Sequence, residues 1–222
     1  MFELEGKSFR YKDIREAILQ SPITSHQSPR VSYTIEFYPE EGKYHWTGHR
    51  NCGVKQSPED TERLGAICPV CGRRLTVGVM HRVQQLAGRE LKTEDLKLKT
   101  DKFGVKRIGW QKRPPYVMLV PLLEIIAESL RTGVSSQKCL TEYKKLTENF
   151  GGEFGVLLKI EIEEIGKISG PKIAEGIKKV RAGDLVIDPG YDGVFGTVKI
   201  WPSSAKASEG EPEGDKEQLA MF

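Results

Sequence analysis

The feature that most constrains this chain is a pair of short knuckles, His49-Arg-Asn-Cys52-Gly and Cys68-Pro-Val-Cys71-Gly. The spacing H-x2-C-x15-C-x2-C gives two tight turns whose paired side chains can face one centre. Three thiolates and one imidazole match the Cys3His class of closed tetrahedral zinc sites, which leave no open position for catalysis. A reducing cytosol argues against disulfides, and thioredoxin-like exchange would leave one knuckle unexplained. Zinc bound by His49, Cys52, Cys68 and Cys71 is therefore expected to be structural. His45 ranks second as the nitrogen ligand, because its H-x6-C spacing to Cys52 makes no knuckle. The glycine after each knuckle is expected to let backbone N–H groups approach the ligand sulfur. Ser57-Pro58-Glu59-Asp60 reads as a capping box opening a short helix that ends at Gly65. Cys139 falls in a helical stretch and is expected in a core, while His26 and His81 have no ligand-like neighbours.

Two knuckles cannot organise 222 residues alone, so composition and pattern decide the rest. With 38% hydrophobic and 29% charged residues, the chain has an ordinary globular make-up that excludes wholesale disorder and fibrous repeats. Its length suits one domain or two small ones. The longest apolar run, Tyr116 to Ala127, is broken by Pro121 and Glu124 and falls short of the ~20 residues that span a bilayer. The first twenty residues carry charges throughout, without a signal-type apolar block, so a cytoplasmic location is expected. The net charge of +3 hides an uneven distribution. Gly72 to Arg113 holds twelve Lys or Arg against four acids, whereas Ser203 to Phe222 holds five acids against two lysines. A basic middle points to a polyanion partner, and an acidic end to a solvated tail.

The pattern predicts a short amphipathic helix over 11–20 and a strand over 31–38, with Val31, Tyr33, Ile35 and Phe37 on its buried face. From His81 the pattern is helical, followed by a charged stretch to about residue 112. Pro121 opens a helix that ends before Gly133, and Ser135 or Ser136 caps another that Gly151-Gly152 stops. A third helix runs from Pro171 to Gly183. LVIDPGYDGVFGTVKIW then reads as two strands around a glycine-rich loop, with Asp192-Gly193 as the turn. The expected class is α+β: a small zinc-ribbon-like domain, then a mainly helical domain with a terminal β-hairpin, then a disordered acidic tail. The boundaries fall at 1–40, 41–80, 81–202 and 203–222.

Several long runs resemble endonuclease Q: TIEFYPEEGKYHWTGHRNCGVKQSPE, CPVCGRRLTVGVMHRV, RPPYVMLVPLLEIIAE, NFGGEFGVLL and IDPGYDGVFG, in order across about residues 30–200. That family of DNA-repair nucleases joins an N-terminal PHP phosphoesterase domain to a zinc-binding domain and a C-terminal helical domain. The resemblance implies action on DNA 5′ of deaminated bases such as uracil and hypoxanthine, and at abasic sites. The PHP metal centre needs many His, Asp and Glu ligands. This chain has four histidines and no His-x-His pair before residue 30. Residues 1–40 are accordingly expected to be the remnant or end of a PHP domain, with the nuclease centre absent and whether the chain is an enzyme left open.

Within the matched part, Lys97, Lys99, Lys102, Lys106, Arg107, Lys112 and Arg113 are expected to neutralise phosphates, with Trp110 offering a stacking face. The loop containing Gly190, Tyr191, Asp192, Gly193 and Phe195 is the candidate for sandwiching an extruded base, the alternative being a tight hairpin with both rings packed inward. Gly170 to Ile177 resembles the second half of a phosphate-binding helix-hairpin-helix. At the end of the tail, Gln218, Leu219, Met221 and Phe222 resemble the peptide by which repair proteins dock on the sliding clamp. The leading expectation is a DNA-binding, lesion-recognising zinc module without its own nuclease centre: a fragment, a split-gene product working with a separate PHP phosphoesterase subunit, or a degenerate paralogue. The alternatives are a nuclease using Glu36, Glu40 and Glu41 with a divalent metal, or a zinc-ribbon module that binds proteins.

Overall fold

The longest apolar run of the sequence becomes the middle of the core. The computed structural model describes residues 2–4, 10–19, 31–87, 96–110 and 113–202. The expected tail with its clamp-like motif, His26 and Lys112 lie outside the described residues. In chain order come β1 (Phe2–Leu4), α1 (Tyr11–Leu19), β2 (Val31–Glu36), β3 (Thr47–His49), β4 (Val54–Gln56), α2 (Pro58–Leu64) and α3 (Val79–Ala87). There follow β5 (Leu96–Thr100), β6 (Lys106–Trp110), β7 (Tyr116–Met118), α4 (Leu122–Leu130), α5 (Gln137–Phe150) and α6 (Glu153–Leu158). The last elements are α7 (Ile162–Ser169), α8 (Pro171–Ala182), β8 (Val186–Asp188) and β9 (Thr197–Lys199). The fold is α+β, as the pattern predicts, and no described helix is long and apolar enough to cross a membrane.

One sheet of order β1-β2-β7-β6-β5 lies beside the helices. β2 and β7 run parallel, with Thr34 opposite Tyr116 and Glu36 opposite Met118. Parallel neighbours need a crossover, and here it carries the entire knuckle segment and the β5–β6 hairpin. The sheet thus takes strands from both sides of residues 41–80. Tyr33 on β2 is buried as expected, but Phe37 is 68% exposed because the strand ends at Glu36. The charged stretch after α3, to which the pattern assigns no element, holds the β5–β6 hairpin. Leu96 and Leu98 alternate with Lys97 and Lys99, and Asp101 closes the turn by accepting from the amides of Phe103 and Val105. β5 is an edge strand, where lysines hinder pairing with another chain.

In the helical layer, α4 buries Leu122, Ile125, Ile126 and Ala127 between neighbours α5 and α8. Pro121 has no side chain to cap α4, so Glu153 reaches across from α6 and accepts from the Leu122 amide at 2.7 Å. Its other oxygen accepts from the Tyr143 hydroxyl at 3.1 Å. Ser136 caps α5 through the Cys139 amide, and the Cys139 thiol, fully buried, donates to the Leu123 carbonyl. α7 and α8 pack directly against each other across Gly170, so α7 supplies the half of the helical hairpin that the sequence pattern did not reveal.

Arg181 ties the layers together. At 2% exposure its guanidinium donates to four carbonyls: Leu157 at 3.0 Å, Val156 at 2.8 Å, Ile160 at 2.7 Å and Phe103 at 2.7 Å. Three belong to the end of α6 and the turn after it, where helix carbonyls lack internal partners and carry negative dipole charge. The fourth belongs to the β5–β6 turn. Burial draws its pKa below that of free arginine, with Asp101 and Glu161 opposing the shift. Arg181→Met keeps the stem but orphans the carbonyls, and is expected to cost about 3 kcal/mol or more. Arg181→Lys should recover only part of this, since one ammonium cannot span four acceptors. The midpoint of urea unfolding measures both.

Candidate metal centre and nucleic-acid interface

The knuckle segment is built from short turns that aim side chains. β3 delivers His49, and a 3-10 turn over Arg50–Cys52 brings Cys52 back toward it. The chain then returns as β4, antiparallel to β3. Ser57 caps α2 by accepting from the Asp60 amide at 3.1 Å, and Gly65 ends that helix, as the capping box predicts. The second knuckle is a tight hairpin in which the Cys68 amide donates to Arg73 and the Leu75 amide to Ala66. Gly53 and Gly72 adopt left-handed φ values of 64° and 70°. Their amides close the turns on the carbonyls of Arg50 and Cys68, and in the second knuckle the bend brings the Val70 and Cys71 amides to the Cys68 sulfur, as the sequence suggested.

The ligand atoms of His49, Cys52, Cys68 and Cys71 all lie within 4.8 Å of one another, with the Cys71 sulfur 3.4 Å from His49 Nδ1. His45 is buried and lies outside this group. Thiols this close cannot all ionise unaided. Burial and the hydrogen bonds of Cys71 and Cys68 push Cys52 up to about 11. Cys68 is drawn down to about 6 although its burial opposes this, because His49 and the amides of Cys71 and Val70 hydrogen-bond to it. A divalent cation at the centre removes the conflict by favouring the ionised form of every thiol. The donor set thus fits a metal ion. Glu36, Glu40 and Glu41 are not part of any such convergence among the described residues.

The glycine-rich loop between β8 and β9 lies directly on this segment. The Gly190 amide donates to Glu40, Trp46 donates to Gly190, and the Gly193 and Gly196 amides donate to Lys43 and Glu41. A Cβ on Gly196 would stand 2.0 Å from the Glu40 carbonyl oxygen, so only glycine permits this approach. Tyr191 packs its ring over Gly48 and under the Lys55 ammonium, half-buried. Asp192 accepts from the Arg50 amide at 2.7 Å and from the Thr76 hydroxyl. The Thr76 bond and, after burial's opposing effect, the Arg50 amide hold its carboxyl below the usual carboxylate range. Phe195 is 47% exposed, with the Lys43 ammonium 4.4 Å above its ring. Of the candidate loop, then, Tyr191 and Asp192 are engaged with the knuckle segment while Phe195 faces outward.

The basic stretch divides between two faces of the β5–β6 hairpin. Lys99 lies opposite Arg107 and Lys97 opposite Gly109, so these share one face, and Lys106 and Trp110 take the other. Lys97, Lys99, Lys102 and Arg113 are exposed, and Arg113 sits 5.5 Å from the Trp110 ring. Arg107 is half-buried, ion-paired with Asp101 at 3.1 Å and lying over the Tyr33 ring. The chain is expected to bind one divalent transition-metal ion, and Cys68→Ser to lose that stoichiometry in native mass spectrometry. Gly196→Ala should destabilise the chain by about 1–3 kcal/mol, read from chemical denaturation, through overpacking against Glu40.

Residues 121–184 match the family model of the MJ0043 C-terminal domain. The chain is 30% identical over 201 residues to the protein MJ0043 of Methanocaldococcus jannaschii, covering 90% of this chain and 22% of that protein. It is 28% identical over 162 residues to YqxK of Bacillus subtilis, covering 72% of this chain and 34% of that protein. Among solved structures it is similar to the lesion-specific endonuclease PfuEndoQ of Pyrococcus furiosus, with TM-score 0.67 and 30% identity. It is also similar to an endonuclease Q in complex with a 27-mer duplex substrate with an abasic lesion at the active site, with TM-score 0.62 and 29% identity. Each structural match covers 92% of this chain and 46% of the other, so the chain spans less than half the length of these relatives. In sequence and in fold the chain is endonuclease Q-like, corresponding to a little under half of that endonuclease.

Proposed function

We propose that this chain is a DNA-binding, lesion-recognising module of endonuclease Q type, held in shape by a structural zinc ion. The observation that carries this reading is the 30% identity and shared fold with a lesion-specific endonuclease over nine-tenths of the chain. Cys3His donor chemistry supports zinc, because a closed set of four protein ligands suits positioning rather than catalysis. The exposed Lys97 and Lys99, side by side on one face of an edge strand, are the best placed of the basic residues to meet phosphates. Lys102 and Arg113 extend that positive stretch, Lys112 adds to it in sequence, and on the other face of the hairpin Trp110 beneath Arg113 offers a ring for stacking. On the opposite side of the hairpin, Lys106 approaches the end of α8 at Gly183.

In this reading the glycine-rich loop meets the lesion through Phe195, whose exposed ring is flanked by Lys43 and suits stacking on an unpaired or extruded base. Deaminated bases and abasic sites are the lesions proposed. The phosphoesterase step is assigned to a PHP-type subunit acting on the same DNA. Gln218 to Phe222 would add a sliding-clamp contact, an aromatic anchor with aliphatic neighbours on a polar linker.

The test is a mobility-shift and incision assay on uracil, hypoxanthine and abasic duplexes with manganese, at several salt concentrations. Preferential binding to lesion DNA without cutting is the expected result, and incision by this chain alone would overturn the assignment of chemistry to a partner. Log affinity should fall with log salt at about 0.9 per contacted phosphate, and Lys97→Ala or Lys99→Ala should each lower that slope by about 0.9. Phe195→Ala should abolish the preference for lesion DNA while leaving binding to undamaged duplex largely intact.

A further inference from the structure

The first knuckle needs a fixed distance between His49 and Cys52, which the 3-10 turn Arg50–Cys52 sets. The amide that opens this turn, Arg50 N–H, makes its bond to Asp192, 142 positions along the chain. The second oxygen of the same carboxylate accepts from Thr76, in the segment leaving the second knuckle. Thr76 is in turn locked to Gly48, one residue before the ligand His49, by reciprocal backbone bonds of 2.9 and 3.0 Å. One side chain therefore holds the inside of one knuckle and the exit of the other.

Asp192 is itself held in an unusual pose. Its φ is 44°, a left-handed value that few non-glycine residues adopt. Paired backbone bonds between Tyr191 and Val194, and one from Gly193 to Lys43, keep it there. A left-handed Asp-Gly pair suits the tight turn between β8 and β9, and the pose aims the Asp192 carboxylate at the knuckles.

We propose that Asp192 is a positioning residue for the metal centre, acting through the Arg50 amide and the Thr76 hydroxyl rather than by touching the ion. Outer-shell partners of this sort fix ligand orientation and raise metal affinity. A carboxylate cannot help by charge here, since three thiolates and one imidazole around a divalent cation already make a net anionic centre. Its contribution is geometric: it holds the two knuckles at the spacing a tetrahedral ion requires. The affinity of a site near residue 50 is thereby made to depend on a loop near residue 190.

This inference rests on the reading of the four ligands as a metal site, and the experiment separates the two. Zinc affinity of the full chain is measured by competition with a chromophoric chelator, and the thiolate-to-cobalt absorption of the Co2+ form reports ligand geometry. Asp192→Ala is expected to weaken zinc binding by about 10–100-fold and to shift or broaden the cobalt bands. Asp192→Asn can still accept from Arg50 and donate to Thr76, and should stay within about threefold of the native chain by the same measure. Lys55→Ala is the control for simple loosening of the loop. Lys55 ties that loop through Asp188 and the Pro189 carbonyl without touching either knuckle, so its loss should leave zinc affinity unchanged. If the native chain binds no metal, the metal reading itself fails. If the native chain binds but Asp192→Ala binds equally well, or Lys55→Ala loses as much, the role of Asp192 is overturned. An Asp192→Asn chain as weak as Asp192→Ala would overturn it too, because the amide preserves the hydrogen bonds.

Discussion

Arg181 places a guanidinium inside the protein where, among the described residues, no carboxylate pairs with it directly, and the rest of the helical layer depends on how that cation is satisfied. Its planar fork meets the open carbonyls at the end of α6 and one in the β5–β6 turn. The arrangement answers two problems with one side chain. The helix end would otherwise bury unpaired acceptors, and the guanidinium would otherwise be an uncompensated charge in a low-dielectric interior. It also locks the sheet to the helices, since Phe103 belongs to the hairpin while Val156, Leu157 and Ile160 belong to the helical layer. Glu153 and Glu128 extend the same logic. Each is an acid whose oxygens accept main-chain amides, Glu153 at the start of α4 and Glu128 at Ile200 and Trp201.

From Glu128 a continuous line of contacts runs to the candidate metal ligands. The anchored residues 200 and 201 directly follow β9, β9 pairs with β8, and the loop between them is bonded along residues 40–50. Lys55 grips its base and Asp192 grips the knuckles. The helical layer and the knuckle segment are therefore not beads on a string. What holds them is mostly main-chain hydrogen bonding at close approach, which explains why glycine recurs in the loop and why it leaves so few side chains free for a ligand. Phe195 is the large ring that this packing leaves outward, which is why it carries the recognition role in the proposed function.

Much of the local structure was legible in the sequence because it is encoded by short-range signals. The capping box at Ser57, the Ser136 cap, Pro171 at a first helical turn and Gly183 at a last one each act within a few residues. So does the H-x2-C and C-x2-C spacing, and the ligand set follows from it. The β5–β6 hairpin was missed although Leu96-Lys97-Leu98-Lys99 has period two, because abundant lysine reads as a solvated helix as readily as an edge strand. Phe37 was misplaced for a related reason: alternation alone does not say where a strand stops. α7 was not seen, although Ile162, Ile165 and Ile168 recur at helical spacing, because it spans barely two turns and its packing partner lies beyond Gly170.

The sequence by itself determined the chemistry of the centre, since only three cysteines and a histidine in two tight turns produce that donor set, and it determined the α+β class through periodicity and caps. Only the tertiary structure decided which elements touch. The parallel pairing of β2 with β7 across eighty residues, the burial of Arg181, the division of the basic residues between two faces, and the reach of Asp192 into a knuckle are long-range. Each depends on main-chain groups finding partners after the core has formed, and main-chain groups are the same at every position, so they leave no mark in a one-dimensional pattern.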